Sequence, residues 1–156
     1  MTIHSAIGAT ASTALAAAGA SPSTGPRQLL FFGATNVAAG DNATPASSTP
    51  VAAQFCGATG ITAGFTAIRP GHITGMSITL SVAAAGSAAI FGVYKGSTLV
   101  ASLTIGTSGT ANFAAYSDTA YAFAANDTLI VKIRTGSGWS ATTSDAAIAV
   151  EITPST

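Results

Sequence analysis

The chain has 156 residues, enough for one domain with a real core, and only 6% of them are charged, against about 25% in ordinary domains. Five basic and five acidic residues cancel, and Arg27, Arg69, Lys95, Lys132 and Arg134 are scattered, which argues against the clustered cations that nucleic acid binding requires. A surface with so little charge is poorly protected against association, so most of it is expected to meet partners.

Residues 1–26 are Ala, Ser, Thr and Gly with few large side chains, and only Ile3, Ile7 and Leu15 offer apolar anchors. Such a stretch cannot bury enough area to offset its own ordering entropy. It reads as an extended N-terminal arm, either a free tail or one that orders against a neighbouring subunit. A short helix over Ser12–Ala18, capped by Ser12 or Thr13 and ended by Gly19, is the one local alternative. The arm lacks the basic and apolar regions of a secretory signal. No stretch approaches the roughly 20 apolar residues of a membrane span.

The folded part is expected over 27–156. Gln28-Leu29-Leu30-Phe31-Phe32-Gly33 reads as a first buried strand. Ala34 to Pro50 reads as a long loop of Asn, Asp, Gly, Pro and Ser/Thr; loops of this length often contact something. Strands are expected over Val51–Gly57 and over Ala63–Arg69, the second contributing Phe65 and Ile68. The lone Cys56 cannot form an intrachain disulfide and reads as a small buried hydrophobe.

Arg69-Pro70-Gly71-His72 is a turn signal. Beyond it, Gly71 to Ile105 has three apolar runs separated by Ala84-Ala85-Gly86-Ser87 and Lys95-Gly96-Ser97-Thr98. In the first run His72, Thr74, Met76, Ile78, Leu80 and Val82 share one side, and Ile73, Gly75, Ser77, Thr79 and Ser81 the other. A period of two means strand, so this region predicts a three-stranded antiparallel meander. Its buried side is assigned Met76, Ile78, Leu80, Ile90 or Phe91, Leu99, Leu103 and Ile105. The opposite side, with Ser77, Thr79, Ser81, Ser102 and Thr104, is polar without charge, a surface another subunit covers at small desolvation cost.

Further strands are expected at Ala111–Tyr116 around Phe113, at Tyr121–Phe123, and at Thr128–Arg134, where Leu129, Val131 and Ile133 alternate with Ile130, Lys132 and Arg134. The last runs over Ala146–Ile152 with Ala146, Ile148, Val150 and Ile152 inward. About nine short strands with Gly-containing turns predict an all-β, antiparallel, jelly-roll-like β-sandwich. Its exposed positions carry Ala, Ser and Thr where edges normally carry charge, which points to edges and faces covered by other chains.

The chemistry-bearing residues are sparse. His4 and His72 have no clustered ligands, so no metal is expected. No G-x-S-x-G elbow, P-loop or dinucleotide fingerprint is present, and two histidines, one Cys and five acids leave few acid–base pairs. Neither catalytic residues nor a cofactor are expected. Asp41-Asn42 and Asn126-Asp127 suit their own backbone turns better than calcium. Trp139, past Gly136-Ser137-Gly138, is either an interface anchor or a cap on the end of the core; Tyr116 and Tyr121 present the same choice. The candidate partner-binding residues are Ile3, Ile7 and Leu15 of the arm, Asn36 and Asp41 of the long loop, and Trp139.

Three segments carry a resemblance. Ile68-Arg69-Pro70-Gly71-His72-Ile73-Thr74-Gly75-Met76-Ser77-Ile78-Thr79-Leu80 resembles a proline/glycine turn and strand that opens β-sandwiches of tailed-bacteriophage virions. Phe91-Gly92-Val93-Tyr94-Lys95-Gly96-Ser97 is similar to a hairpin of the same proteins. Phe123-Ala124-Ala125-Asn126-Asp127-Thr128-Leu129-Ile130-Val131 resembles their G-D turn and strand, with Asn126 where Gly is usual, a replacement that tolerates positive φ. The resemblance spans about residues 65–152 and leaves the N-terminal arm unmatched. It implies a virion protein made in the host cytoplasm, most like a capsid decoration (cement) protein. Such a protein binds the major capsid protein and itself, commonly as a trimer, and has no catalytic residues. A carbohydrate- or receptor-binding module of a tail or head fibre, with Trp139, Tyr116 and Tyr121 as its stacking platform, is the alternative.

Overall fold

A computed structural model describes residues 26–37, 51–52, 54–55, 64–116 and 121–155. Ile3, Ile7, Leu15, Asp41 and Cys56, and the helix considered over Ser12–Ala18, lie outside the described residues. The described chain is all-β, with eleven strands: β1 (Gln28–Ala34), β2 (Val51–Ala52), β3 (Gln54–Phe55), β4 (Phe65–Thr66), β5 (Gly71–Leu80), β6 (Ala89–Lys95), β7 (Thr98–Ile105), β8 (Ala111–Ala115), β9 (Ala122–Phe123), β10 (Thr128–Thr135) and β11 (Ala146–Pro154). Sheet A runs β3-β1-β11-β5-β8 with β9 beside β5, and sheet B runs β2-β10-β6-β7 with β4 beside β10. All pairings are antiparallel. The inward faces of both sheets share one core, with Phe91, Ile73, Ile78, Ile105, Leu129, Ile148 and Ile152 fully buried.

Described strands that follow one another in the chain are divided between the two sheets, except that β6–β7 and β8–β9 each stay in one. The expected meander is therefore corrected. β5 belongs to sheet A, between β11 and β8, while β6 and β7 form a hairpin in sheet B. Ala84 to Ser87 is a corner between sheets, not a hairpin turn: Ala84 exchanges backbone hydrogen bonds with Gly109 and Ser108, and Ala85 accepts one from Ser140. Gly86 turns this corner at φ +77°.

A β-bulge corrects the side assignment in β5. Glu151 pairs with Gly75 but Ile152 pairs with Ile73, so Thr74 is skipped. The skip reverses the alternation. Ile73 joins Met76, Ile78 and Leu80 in the core, while His72 and Thr74 are left half-buried. A second irregularity, between Val93 and Tyr94, puts Leu99 outside at 47% exposure, so Ala101, Leu103 and Ile105 supply the buried side of β7. Phe91 takes the core position, and Ile90 and Val82 are exposed.

The strand expected over Val51–Gly57 is two short ones. β2 pairs with β10 of sheet B and β3 with β1 of sheet A, so the chain passes between sheets from Ala52 to Gln54. That passage joins the two sheets along one side of the sandwich. On the other side β8 shields the edge of β7 with side chains: Asn112 Nδ2 donates to the Thr104 carbonyl (2.8 Å) and Tyr116 Oη to the Ser102 carbonyl (2.9 Å). Edges left unprotected by charge are normally an aggregation liability. Here two carbonyls of the β7 edge are taken by the molecule's own side chains. Of the strand expected over Ala63–Arg69 only Phe65–Thr66 forms, and Ile68 is 86% exposed.

Candidate functional site

Beyond the strand edges lie the faces and ends of the sandwich. The outer face of sheet A is built by register. Leu29, Glu151, Gly75 and Ala115 form one cross-strand row; Phe31, Ala149, Ser77 and Phe113 the next; Gly33, Ala147, Thr79 and Ala111 the third. Phe31 (57% exposed) and Phe113 (80%) stand three strands apart, about 14 Å at the usual strand spacing. The floor between them is Ala149 and Ser77. A shallow trough of about 260 Å³ lies on this face, with Leu29 and Phe113 at its sides and Gly75, Ser77, Ala115 and Ala149 along its floor. Its one acid, Glu151, is neutralised by Arg27 (3.3 Å) and accepts a hydrogen bond from Thr74 Oγ1 (2.8 Å). A face without an uncompensated charge, flanked by exposed Phe and Leu, suits docking of a protein surface.

This face was only half legible. The small hydroxyl residues Ser77 and Thr79 are where the alternation places them. Leu29 and Phe31 are not buried with the rest of their strand: only Leu30 and Phe32 face the core. The available signal was that Leu29–Phe32 is apolar at both parities. A strand of that kind wants cover on both faces, and the sandwich supplies one.

The outer face of sheet B differs. Lys132 and Arg134 lie on β10, and Lys132 Nζ sits 4.7 Å from the centre of the Tyr94 ring. Tyr94 is buried because Gly92 leaves room: a Cβ there meets Leu99 Cδ1 at 2.6 Å and Tyr94 Cε2 at 2.9 Å.

One end of the sandwich gathers the three segments that carry the resemblance. Asn126 N–H donates to Ala67 O (2.7 Å), Ala67 N–H to Asp127 O (2.8 Å), and Lys95 pairs with Asp127 at 3.6 Å. Asn126 has φ 70°, the conformation expected of an Asn in the Gly position. A cleft of about 450 Å³ opens at this end, lined by Phe65, Ile68, Arg69, Phe123, Pro154 and, at the start of the described chain, Pro26.

The opposite end holds the remaining described candidates. Trp139 is 3% exposed, and its Nε1 donates to Val37 O at 2.8 Å. It closes the core, which corrects its reading as an interface anchor in favour of the end-cap reading. Asn36 is exposed with φ 49°, and its N–H donates to Asp145 Oδ1 at 3.0 Å. Val37 N–H donates to Ser144 O, and the fully buried Ser144 binds Val82 through its hydroxyl. Asn36 thus shapes the exit of β1 and stands within reach of solvent. The structure does not bring Trp139 to Tyr116 and Tyr121, whose rings stack 4.3 Å apart near the beginning of β5. The three-aromatic platform is therefore not assembled.

Burial pushes the Tyr116 hydroxyl above its ordinary pKa, and Tyr121 beside it adds to the rise. The folded state holds this proton more tightly than the unfolded chain. Its contribution is fully present below pH about 10 and is lost as pH climbs from there through the folded pKa. Tyr116→Phe is expected to cost about 1 kcal/mol at neutral pH through the lost bond to Ser102 O. It should also flatten the decline in melting temperature above pH about 10, checked by thermal melts across that range. An unchanged alkaline slope would show that Tyr116 does not set it.

Among the described residues no group of three or more His, Cys, Asp or Glu is placed to hold a metal, and no helix is long and apolar enough to cross a membrane. The described residues form an all-β sandwich of two antiparallel sheets, one of which exposes large apolar side chains on a face whose one acid is paired. No protein-family model matches the chain, and no curated protein does. Among solved structures the chain is similar to the PRD1 vertex protein P5, at 13% identity over 82% of this chain and 73% of that one, with a TM-score of 0.45.

Proposed function

We propose that this chain is a structural virion protein, a capsid decoration protein that binds the phage head through the outer face of sheet A. Its partners on this reading are the major capsid protein and further copies of itself, most simply as a trimer. Residues 27–156 are the docking domain, and residues 1–26 an arm that carries additional contacts through Ile3 and Ile7. The observation that carries the reading is the outer face of sheet A with Leu29, Phe31 and Phe113: large apolar side chains exposed on a face whose one acid is paired. The resemblance of residues 68–80, 91–97 and 123–131 to phage virion sandwiches supports the virion setting. The paucity of charge supports a life spent in contact with other subunits.

The test is re-addition of purified protein to heads that lack it, read by co-sedimentation. Phe31→Ser with Phe113→Ser is expected to weaken binding at least about tenfold, since exposed aromatic anchors carry a large share of interface energy. The melting temperature should hardly change, because both side chains already face solvent. Full binding by the double variant would overturn the assignment of this face.

A further inference from the structure

The cleft at the other functional candidate, the end where residues 67, 95 and 127 meet, is apolar and open. Ile68 stands 86% exposed over it, Phe65 is half-buried in its wall, and Phe123, Ile152 and Pro154 complete an uncharged lining apart from Arg69. Pro26 and Gln28 belong to the same rim, so the described chain begins at the mouth of this cleft.

Residues 1–25 enter from that point. They contain no acidic, Lys or Arg residue, so laying them on an apolar wall buries no side-chain charge other than that of His4 when protonated. Ser21-Pro22-Ser23-Thr24-Gly25-Pro26 is rich in turn residues, which lets the chain reverse directly after leaving the rim. Upstream of that reversal the first large apolar side chain is Leu15, eleven residues before Pro26. A chain of that length extends up to about 36 Å, far more than the width of the cleft, and closing a loop of this size costs little beyond a shorter one. Tethering also places Leu15 at an effective concentration in the millimolar range, well above that of any second copy in dilute solution.

We infer that the cleft is the seat of the chain's own N-terminal segment, with Leu15 packed against Phe65 and Ile68. The anchor holds the arm at one end of the sandwich and leaves Ile3 and Ile7 beyond it. The inference does not rest on the docking assignment of sheet A, which lies on a different surface.

The test is a disulfide trap in the full chain: Leu15→Cys with Ile68→Cys in a Cys56→Ser background, oxidised at low protein concentration and run without reductant. A fast-migrating monomer that reverts on reduction is the expected product. Disulfide-linked dimers, or free thiols after oxidation, overturn the inference. A second measurement avoids the Cys56 change. Hydrogen exchange at the amides of Ile68 and Arg69 should quicken by about threefold or more when residues 1–20 are deleted, and Leu15→Asp should lower the melting temperature by about 3 °C. Unchanged exchange and melting would count against the seat. The trapped monomer should still form when Phe31 and Phe113 are both changed to Ser, so a failure here and a failure of the docking face give different results.

Discussion

Trp139→Ala is expected to destabilise the protein by about 3–5 kcal/mol, the usual cost of emptying a large aromatic site in a core. Trp139 is 3% exposed and belongs to the core cluster with Val37, Ala84 and Ala141. Its removal leaves a cavity at the end of the sandwich, and it strands Val37 O, which accepts from the indole nitrogen. Val37 is also tied to Ser144 through its own N–H, so the start of the long segment after β1 loses one of two attachments. Trp139→Phe separates the effects: most of the apolar volume returns, and the lost hydrogen bond costs about 1–3 kcal/mol. Urea unfolding followed by circular dichroism measures both, since the chain has no second Trp to report by fluorescence. A Trp139→Ala protein as stable as the parent would refute the end-cap role and restore the residue as a candidate contact.

Gly86→Ala is expected to cost about 3 kcal/mol or more, a large effect for one added methyl group. Gly86 has φ +77°, where an L side chain costs about 1–2 kcal/mol, and a Cβ there runs into the Gly138 carbonyl oxygen. That oxygen is backbone and has no side-chain freedom to yield. The two glycines let the β5–β6 corner touch the β10–β11 loop, where Ser140 N–H bonds Ala85 O. Gly96→Ala is the control. Gly96 has a comparable φ of +61° but nothing within 4 Å of its added Cβ, so only the conformational cost of about 1 kcal/mol is expected. Equal losses at the two sites would mean that the corner contact contributes nothing. Thermal or urea unfolding of the two variants decides between them.

Where alternation alone sets the pattern, the chain is legible residue by residue. In β10 Leu129, Val131 and Ile133 are buried and Ile130, Lys132 and Arg134 are not; in β11 Ala146, Ile148, Val150 and Ile152 face inward. Both strands have one core face and one outer face, so a period of two carries the answer. The same signal fails in β5, because the skipped Thr74 is visible only against its partner Glu151. It fails in Gln28–Ala34 because apolar side chains at both parities do not say which side meets the core.

The candidate site divides in the same way. Asn126 announced its positive φ through its place in a turn, and the structure has it at 70°. Trp139 in a Gly-Ser-Gly loop looks the same in sequence whether it points out or in; the Val37 carbonyl, about a hundred positions away, decided it. Phe113 is the main apolar side chain of its strand and yet is 80% exposed, because β8 is the outer strand of sheet A and it is the neighbouring Asn112 that turns to β7.

By itself the sequence determined that the protein is an antiparallel β-sandwich rich in small uncharged residues and poor in ionisable ones. Those properties follow from composition and from contacts between neighbours along the strand. Only the tertiary structure decided that β5 and β6 lie in opposite sheets, that Phe31 and Phe113 share one outer face, and that Trp139 is core. Each of these depends on which distant strand becomes a neighbour, a choice made by the closure of the whole sandwich and not by any local pattern.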